Sequence, residues 1–302
     1  MARASSPSQA GRYVVVGADD FGLSRSVNRA VALACETGVL TAASIMAGGD
    51  AFTEAAGIAA GYPKLSVGLH VMLSDGRPVL SPADVPGLVD GEGRFEKSPM
   101  RAGITYWRRG RDLAGQIGAE VRAQFDKAEA AGINLTHVDC HHHLHMHPLL
   151  FDIIAEEAAA RGIAWIRIPR EPLSLVAGLH ARLFDAKAFL AWLVFGLLAR
   201  RNVRVARTHG LRTADNVYGL SATGRITEKY LLALLPYVKG TASEIYLHPD
   251  LGSPRGREET KGVASGRVRA AMMALGLQTA GFRELSDESL HSKEDPIAHA
   301  HR

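Results

Sequence analysis

The 302-residue chain has few aromatic residues, almost no cysteine and little net charge. Cys35 and Cys140 are its only thiols, so a disulfide-stabilised scaffold is excluded. A net charge of +4 is too small to provide the basic surface that nucleic-acid binding requires, and we expect no nucleic-acid partner. Neither a glycine-rich dinucleotide fingerprint nor a P-loop occurs, so no nucleotide cofactor is indicated.

The two ends of the chain are polar. The N-terminus, MARASSPSQAGR, lacks the apolar segment of a secretory signal, and we expect a cytoplasmic protein. Residues 1–11 and 286–302 are predicted to be disordered tails. A single domain is predicted over residues 12–285.

Between these limits, short β-branched runs alternate with longer stretches of helical period. The strand-like runs are 13–18, 41–46, 65–69, 133–139, 163–168 and 243–247. The helix-like stretches are 24–37, 112–131, 148–161, 226–238 and 259–275. This alternation predicts an α/β fold with a parallel sheet, and six or more βα units favour a barrel over an open sheet.

Ionisable residues follow four of the strand-like runs. They are Asp19 and Asp20, His70, a histidine cluster beginning at His137, and His248. Because the carboxyl ends of parallel strands open on one face, these side chains are expected to converge on one mouth. Any one of them alone is equally well explained as a helix cap or a surface residue.

A carboxylate with two imidazoles forms a donor set suited to a catalytic divalent ion. Asp19 and Asp20 are adjacent, so their side chains point in opposite directions and one can bind the metal while the other acts as a base. The spacing does not decide which residue has which role.

The histidine cluster contains six of the chain's 13 histidines, at positions 137, 141, 142, 143, 145 and 147. If this segment is extended, one face carries His137, Asp139, His141, His143 and His145, and His142 points away. Asp139 is then placed to accept a hydrogen bond from a ligand histidine and fix its tautomer. The alternative is a solvated loop or an adventitious surface metal site.

Three motifs together resemble the YdjC-like carbohydrate deacetylase family: ADDFGLS at 18–24, VGLH at 67–70 and THVDCHHHLHMHP at 136–148. LHPD at 247–250 is similar to the family's late histidine motif. Within the family, RIPREP at 167–172 and a long apolar insertion most resemble the hopanoid biosynthesis-associated HpnK-like proteins.

This resemblance implies a distorted (β/α) TIM-like barrel related to NodB-like deacetylases. It implies one divalent ion per chain, Zn²⁺ or Mg²⁺, held by Asp20, His70 and His141. It further implies Asp19 as the base and His248 as the general acid. The remaining residues that it places around the site or its substrate are Asp139, His143, His145 and Arg167.

The expected activity is removal of the N-acetyl group from an N-acetylglucosamine-type sugar on a hopanoid glycolipid, with a chitooligosaccharide as the alternative substrate. An amidohydrolase or phosphoesterase barrel is disfavoured, because such enzymes begin with an H-x-H pair where this chain has Asp19 and Asp20. A non-enzymatic metal-binding protein is a further alternative, and a homodimer is left open.

The apolar segment FLAWLVFGLLA, residues 189–199, is flanked by Arg182, Lys187, Arg200 and Arg201. Eleven apolar residues are too few to span a bilayer. The segment is interpreted either as a helix packed on the barrel or as an interfacial helix that contacts the inner face of the membrane through residues 187–201.

Overall fold

A computed structural model describes residues 11–172, 175, 179 and 186–287, with only the helical backbone for 186–192. The strands are β1 Arg12–Phe21, β2 Ala42–Ile45, β3 Ser66–Val71, β4 His137–Cys140, β5 Trp165–Ile166, β6 Asn216–Tyr218, β7 Ala242–Leu247 and β8 Leu277–Thr279. The α-helices are α1 Arg25–Thr37, α2 Phe52–Gly61, α3 Pro99–Ala130, α4 Pro148–Ala160, α5 Ala186–Thr208, α6 Glu228–Leu234, α7 Pro254–Val263, α8 Gly266–Ala274 and α9 Phe282–Ser286. Short 3₁₀ helices occupy His141–Met146, Leu220–Ala222 and Leu235–Tyr237.

The strands form one curled parallel sheet in the order β5-β4-β3-β2-β1-β7-β6, and β8 pairs with the first residues of β1. Backbone hydrogen bonds connect the two edges: Ile166 N donates to Arg212 O (3.0 Å), and Val217 N donates to Arg170 O (3.2 Å). The predicted fold class, a distorted (β/α) barrel, is confirmed. The domain limits of 12–285 stay a prediction, and the predicted tails lie outside the described residues apart from Gly11, Ser286 and Asp287.

Alternation along the strands separates an apolar outer layer from a polar interior. The outward-facing side chains, such as Val16, Leu69, Val138 and Ile245, join the main core between sheet and helices. A small apolar plug that includes Val15, Trp165 and Phe282 forms a second cluster. The buried polar residues of the interior are Asp19, Ser44, His70, His137, Asp139, Arg167 and Glu244. The barrel therefore places its ionisable groups in its centre.

Most of the predicted elements are present, with differences in extent. The stretch 259–275 is two helices, because Ser265 caps the start of α8 by accepting from Val268 N. Helix α3 starts at Pro99, well before the predicted 112. In this first part only Ala102, Tyr106 and Gly110 are buried, so the buried stripe is too thin to give an amphipathic pattern. Strands β6 and β8 are too short to give a strand signal.

The apolar segment at 189–199 lies within α5, and the side chains of 186–192 are outside the described residues. Phe195 and Leu198 of this segment pack against the core, whereas Leu193, Val194 and Leu197 are exposed. Contact of the segment with a membrane stays a prediction. None of the helices in the described ranges is long and apolar enough to cross a membrane.

Gly68 on β3 provides a test of interior packing. A Cβ added there would lie 2.5 Å from ring atoms of the buried His137. Gly68→Ala is expected to lower the free energy of unfolding by about 1–3 kcal/mol, measured by urea denaturation, because both groups are confined. The control is Gly57→Ala in α2, where nothing lies within 4 Å. Equal stability of Gly68→Ala and the parent protein would contradict the packing described.

Candidate functional site

The four strand ends that carry ionisable residues meet at one mouth of the barrel. His70 Nε2 lies 3.3 Å and His141 Nδ1 lies 2.9 Å from the same oxygen, Oδ1 of Asp20. On the other side, His248 Nε2 lies 3.9 Å from Asp19 Oδ2. The side chains predicted to form the site are therefore neighbours, although they come from distant parts of the sequence.

Asp20, His70 and His141 form a group whose ligand atoms all lie within 4.8 Å of one another. Asp20 Oδ1 is buried and has no hydrogen-bond partner among the described residues, although both imidazole nitrogens face it. Atoms bound about 2.1 Å from a metal lie about 3.0–3.4 Å apart at octahedral to tetrahedral angles, which is close to the two contact distances. The orphaned oxygen and its two nitrogen neighbours fit a divalent cation.

Asp139 orients His70. The two residues are register partners on β3 and β4, and His70 Nδ1 donates to Asp139 Oδ1 at 2.6 Å. This hydrogen bond leaves Nε2 of His70 for the Asp20 side. Burial opposes a charge on the imidazole, but Asp139 outweighs it and raises the pKa of His70 to about 10. Asp139 also accepts a hydrogen bond from Ser44 Oγ at 2.7 Å.

Arg167 is the buried cation at the centre of the barrel. Its Nη1 and Nη2 donate to the two oxygens of Asp19 at 2.7 and 2.8 Å. Nη1 also lies 2.7 Å from Asp139 Oδ2, and Nε donates to Glu244 Oε1 at 2.8 Å. One guanidinium thus holds three carboxyl groups. His145 Nε2 donates to the carbonyl oxygen of Arg167 at 2.8 Å and fixes its backbone.

The interior contains more acidic than basic groups. Burial raises the pKa of Glu244 to about 7, despite the lowering effect of Arg167. Oε2 of Glu244 has no hydrogen-bond partner within the described residues.

His248 is the most exposed member of the site, with 29% of its side chain accessible. Its backbone N–H donates to the buried Glu259 at 2.6 Å, which anchors the residue at the start of its loop. Tyr246 lies beside it, with ring centroids 5.9 Å apart. The Tyr246 hydroxyl is hydrogen-bonded to His143 Nε2 at 2.8 Å.

The prediction that the histidine cluster is extended is wrong. Strand β4 ends at Cys140, and His141–Met146 forms 3₁₀ turns with left-handed residues at His142 (φ 56°) and His143 (φ 55°). These turns lead the chain from β4 to Pro148, the first residue of α4. His141, His143 and His145 consequently reach three different partners, and His142 contacts Asp75 at 3.6 Å.

Left-handed backbone is concentrated at this mouth. In the described part of the chain, the residues other than glycine with positive φ are Asp20, Asp75, His142 and His143. Such conformations cost about 1–3 kcal/mol each and persist where the surroundings impose them, commonly at functional sites. At Asp20 the left-handed turn, with an irregular β1–β2 register, separates its side chain from that of Asp19.

Several residues of the site were not anticipated from the sequence: Ser44, Glu244, Tyr246 and Glu259. For two of them a signal exists. In SEIYLH, alternation places Glu244, Tyr246 and His248 on one face of β7, so a predicted role for His248 implies that the other two face the same interior. Ser44 and Glu259 have no comparable signal, because their partners come from distant segments.

A family model described as YdjC-like protein matches residues 13–275. The chain belongs to the YdjC-like family. A carbohydrate deacetylase of Geobacillus stearothermophilus is 33% identical over 239 residues, covering 79% of each chain. A carbohydrate deacetylase of Brevibacillus brevis is 41% identical over 150 residues, but the match spans only 55% of that protein. A chitooligosaccharide deacetylase of Escherichia fergusonii is 35% identical over 182 residues, covering 59% of this chain and 68% of that protein.

Solved structures agree with the fold of this YdjC-like chain. A putative cellobiose-phosphate cleavage protein of Enterococcus faecalis has a TM-score of 0.70 at 21% identity, covering 91% of this chain and 99% of that one. An uncharacterized protein of Agrobacterium tumefaciens has a TM-score of 0.51 at 12% identity, covering 93% and 92%. At these identities the likeness shows the fold alone.

Glu244→Gln tests the buried carboxyl group. A pKa raised from 4.5 to about 7 means that the folded protein binds the proton more tightly, so this stabilisation is complete below pH 4.5 and lost as the pH rises through 7. With chelator present, the parent protein should lose about 1–3 kcal/mol of unfolding free energy relative to Glu244→Gln between pH 5 and 8.

The control for this pH comparison is Glu92→Gln, at an exposed glutamate. Its unfolding free energy should stay parallel to that of the parent protein across the same pH range. Parallel curves for Glu244→Gln as well would show that Glu244 is ionised throughout.

Proposed function

We propose that this protein is a metal-dependent deacetylase that hydrolyses the N-acetyl group of an amino sugar. The observation that supports it most directly is the separation of two adjacent carboxylates: Asp20 faces two imidazoles, and Asp19 is held by Arg167 beside His248. This arrangement provides a metal-ligand set and a base with an acid at one mouth. The names of the Geobacillus and Escherichia relatives agree with this activity.

In this proposal Asp20, His70 and His141 hold one divalent ion, Zn²⁺ or Mg²⁺. When bound, such an ion polarises the acetamide carbonyl and lowers the pKa of water toward ~7. Asp139 keeps His70 in the required tautomer through the 2.6 Å hydrogen bond.

Asp19 accepts the proton of the attacking water in this scheme. The fork of Arg167 fixes both of its oxygens, so little reorganisation is needed when the proton arrives. His248, in its protonated form, donates a proton to the amide nitrogen as the C–N bond breaks. The products are the free amine and acetate. A protein that only stores metal would need neither Asp19 beside Arg167 nor His248 opposite it.

The proposed substrate is a lipid-linked N-acetylglucosamine such as an N-acetylglucosaminyl hopanoid, consistent with the HpnK-like resemblance. Support comes from a cleft of about 390 Å³ that begins at Pro169, two residues after Arg167. Leu193, Phe195 and Leu197 of α5 line it with apolar side chains. A cleft lined in part by apolar side chains suits a lipid whose sugar reaches the site.

The assigned roles predict two classes of variant. His70→Ala and His141→Ala should lose the bound metal, measured by elemental analysis of purified protein. Asp19→Asn and His248→Ala should retain the metal and lose roughly 10²- to 10⁴-fold in turnover each, the usual contribution of general acid–base catalysis. The exposed His209→Ala should leave metal and turnover unchanged. Near-normal deacetylation by Asp19→Asn would refute the assignment of the base.

Substrate class is tested by mass spectrometry of acetyl loss from a lipid-linked N-acetylglucosamine and from N-acetylchitobiose, each with and without chelator. We expect preference for the lipid-linked sugar. Leu197→Ser in the cleft should lower kcat/KM for the lipid substrate roughly tenfold, since it removes the burial of one leucine side chain. Val194→Ser is the control, because Val194 is exposed on the same helix and does not line the cleft. Preference for chitobiose would contradict the lipid assignment.

A further inference from the structure

The first turns of α3 expose three large apolar side chains on one face. Met100, Ile104 and Trp107 are 77%, 47% and 68% exposed. Their spacing of four and three residues places them within an arc of about 60° on the helix surface. The opposite side is buried at Ala102, Tyr106 and Gly110. These three residues, the α3 stripe, are solvent-exposed in the protein as described.

Positive charge lies close to the α3 stripe: at 100° per residue Arg108 and Arg111 fall beside it, whereas Arg109 falls on the far side of the helix. Residues 99–111 contain four arginines (101, 108, 109 and 111) and no acidic residue. Arg101 contacts Glu96 at 3.3 Å, whereas Arg108, Arg109 and Arg111 form no ion pair with any described residue. An apolar stripe with unpaired arginines beside it complements a surface that is anionic outside and apolar beneath, which is the chemistry of an acidic lipid bilayer.

The α3 stripe lies at the same end of the barrel as the candidate site. Trp107 packs edge-to-face on His147, 5.1 Å between ring centroids, directly before the start of α4. At 1.5 Å per residue, Ile104 and Met100 extend about 4.5 and 10.5 Å beyond this level, away from the body of α4. On the other side of α4, Asn202 of α5 donates to Met146 O, which places Asn202 close to the start of α4. Leu197 and Leu193 precede Asn202 in the helix and therefore extend beyond the start of α4 on the side of the mouth.

Helices α3 and α5, which flank the 3₁₀ segment His141–Met146, therefore both project apolar side chains at the mouth. Helix α5 contains four arginines in its second half and no acidic residue over Ala186–Thr208. Arg201 is paired with Asp152, and Arg200, Arg204 and Arg207 are exposed. Arg204 and Arg207 lie C-terminal to Asn202 and so away from the mouth, whereas the exposed Arg200 lies on the mouth side, next to the apolar segment.

We propose that the α3 stripe docks this protein on an anionic lipid bilayer, with the mouth of the barrel facing the membrane. The inference extends the proposed function and rests on it for its purpose, because docking brings the site to a lipid-linked sugar. Trp107 is the anchor, since a tryptophan held by His147 presents apolar surface at the headgroup level. The neighbouring arginines meet the lipid phosphates.

The test is co-sedimentation of the full chain with vesicles of phosphatidylcholine alone or mixed with phosphatidylglycerol. We expect binding to the anionic vesicles only. Met100→Asp and Trp107→Ala should abolish it, and Arg108→Ser should weaken the partition coefficient roughly fivefold. The matched control is Met273→Asp, because Met273 is 74% exposed on α8 and lies outside the α3 stripe. Melting curves confirm that each variant folds.

Deacetylation of N-acetylchitobiose is measured in parallel and should be unchanged in all four variants. Absence of deacetylation of both N-acetylchitobiose and the lipid-linked sugar by the parent protein, with intact vesicle binding, would refute the proposed function and not the docking. Equal binding of Met100→Asp and the parent protein, or equal binding to neutral vesicles, would overturn the docking. A dimer that Met100→Asp converts to monomer would also overturn it, because the stripe would then be a subunit interface.

Discussion

A single buried guanidinium determines the arrangement of the site. Arg167 contacts Asp19, Asp139 and Glu244 in the interior of the barrel, and each of these contacts is between 2.7 and 2.8 Å. Removing one member of such a buried set leaves uncompensated charge, which commonly costs about 3–5 kcal/mol. Because the guanidinium is planar and has five donors, it fixes directions as well as charges. The orientation of Asp19 follows directly, and that of His70 follows through Asp139.

The neighbouring residue Asp20 does not contact Arg167, because its backbone conformation directs its carboxylate elsewhere. Its φ of 63° turns its carboxylate toward His70 and His141, away from Arg167. Two adjacent aspartates thus acquire different surroundings, one a fixed cation and the other a pair of imidazoles. Burial alone would raise the pKa of Asp20, but the two histidines outweigh it and hold the pKa well below its usual value. Two adjacent carboxylates can therefore have different roles, Asp20 as a metal ligand and Asp19 as a base in the proposed function.

The sequence predicts those parts of the structure that depend on local pattern. Strand ends at Asp19, His70 and His248 follow from β-branched runs, and the parallel topology then requires that they converge. The turn at His141–Met146 could not be predicted, because consecutive histidines have no strong backbone preference and the conformation depends on distant acceptors. Glu244 and Ser44 were missed for the same reason: their partners come from other strands. The first part of α3 was missed because its exposed apolar residues obscure the buried face, and the same residues form the proposed docking surface.

In the proposed site, the two adjacent aspartates divide between a metal and Arg167. Anomalous diffraction from crystals of the protein grown with Zn²⁺ tests this division. One strong peak is expected about 2.0–2.2 Å from ligand atoms of Asp20, His70 and His141, with Asp19 still bound to Arg167. Among the described residues, two other groups could also hold an ion: Asp75 with His141 and His142, and Asp19 with His70 and Asp139. A principal peak at either of these groups would contradict the division of the two aspartates.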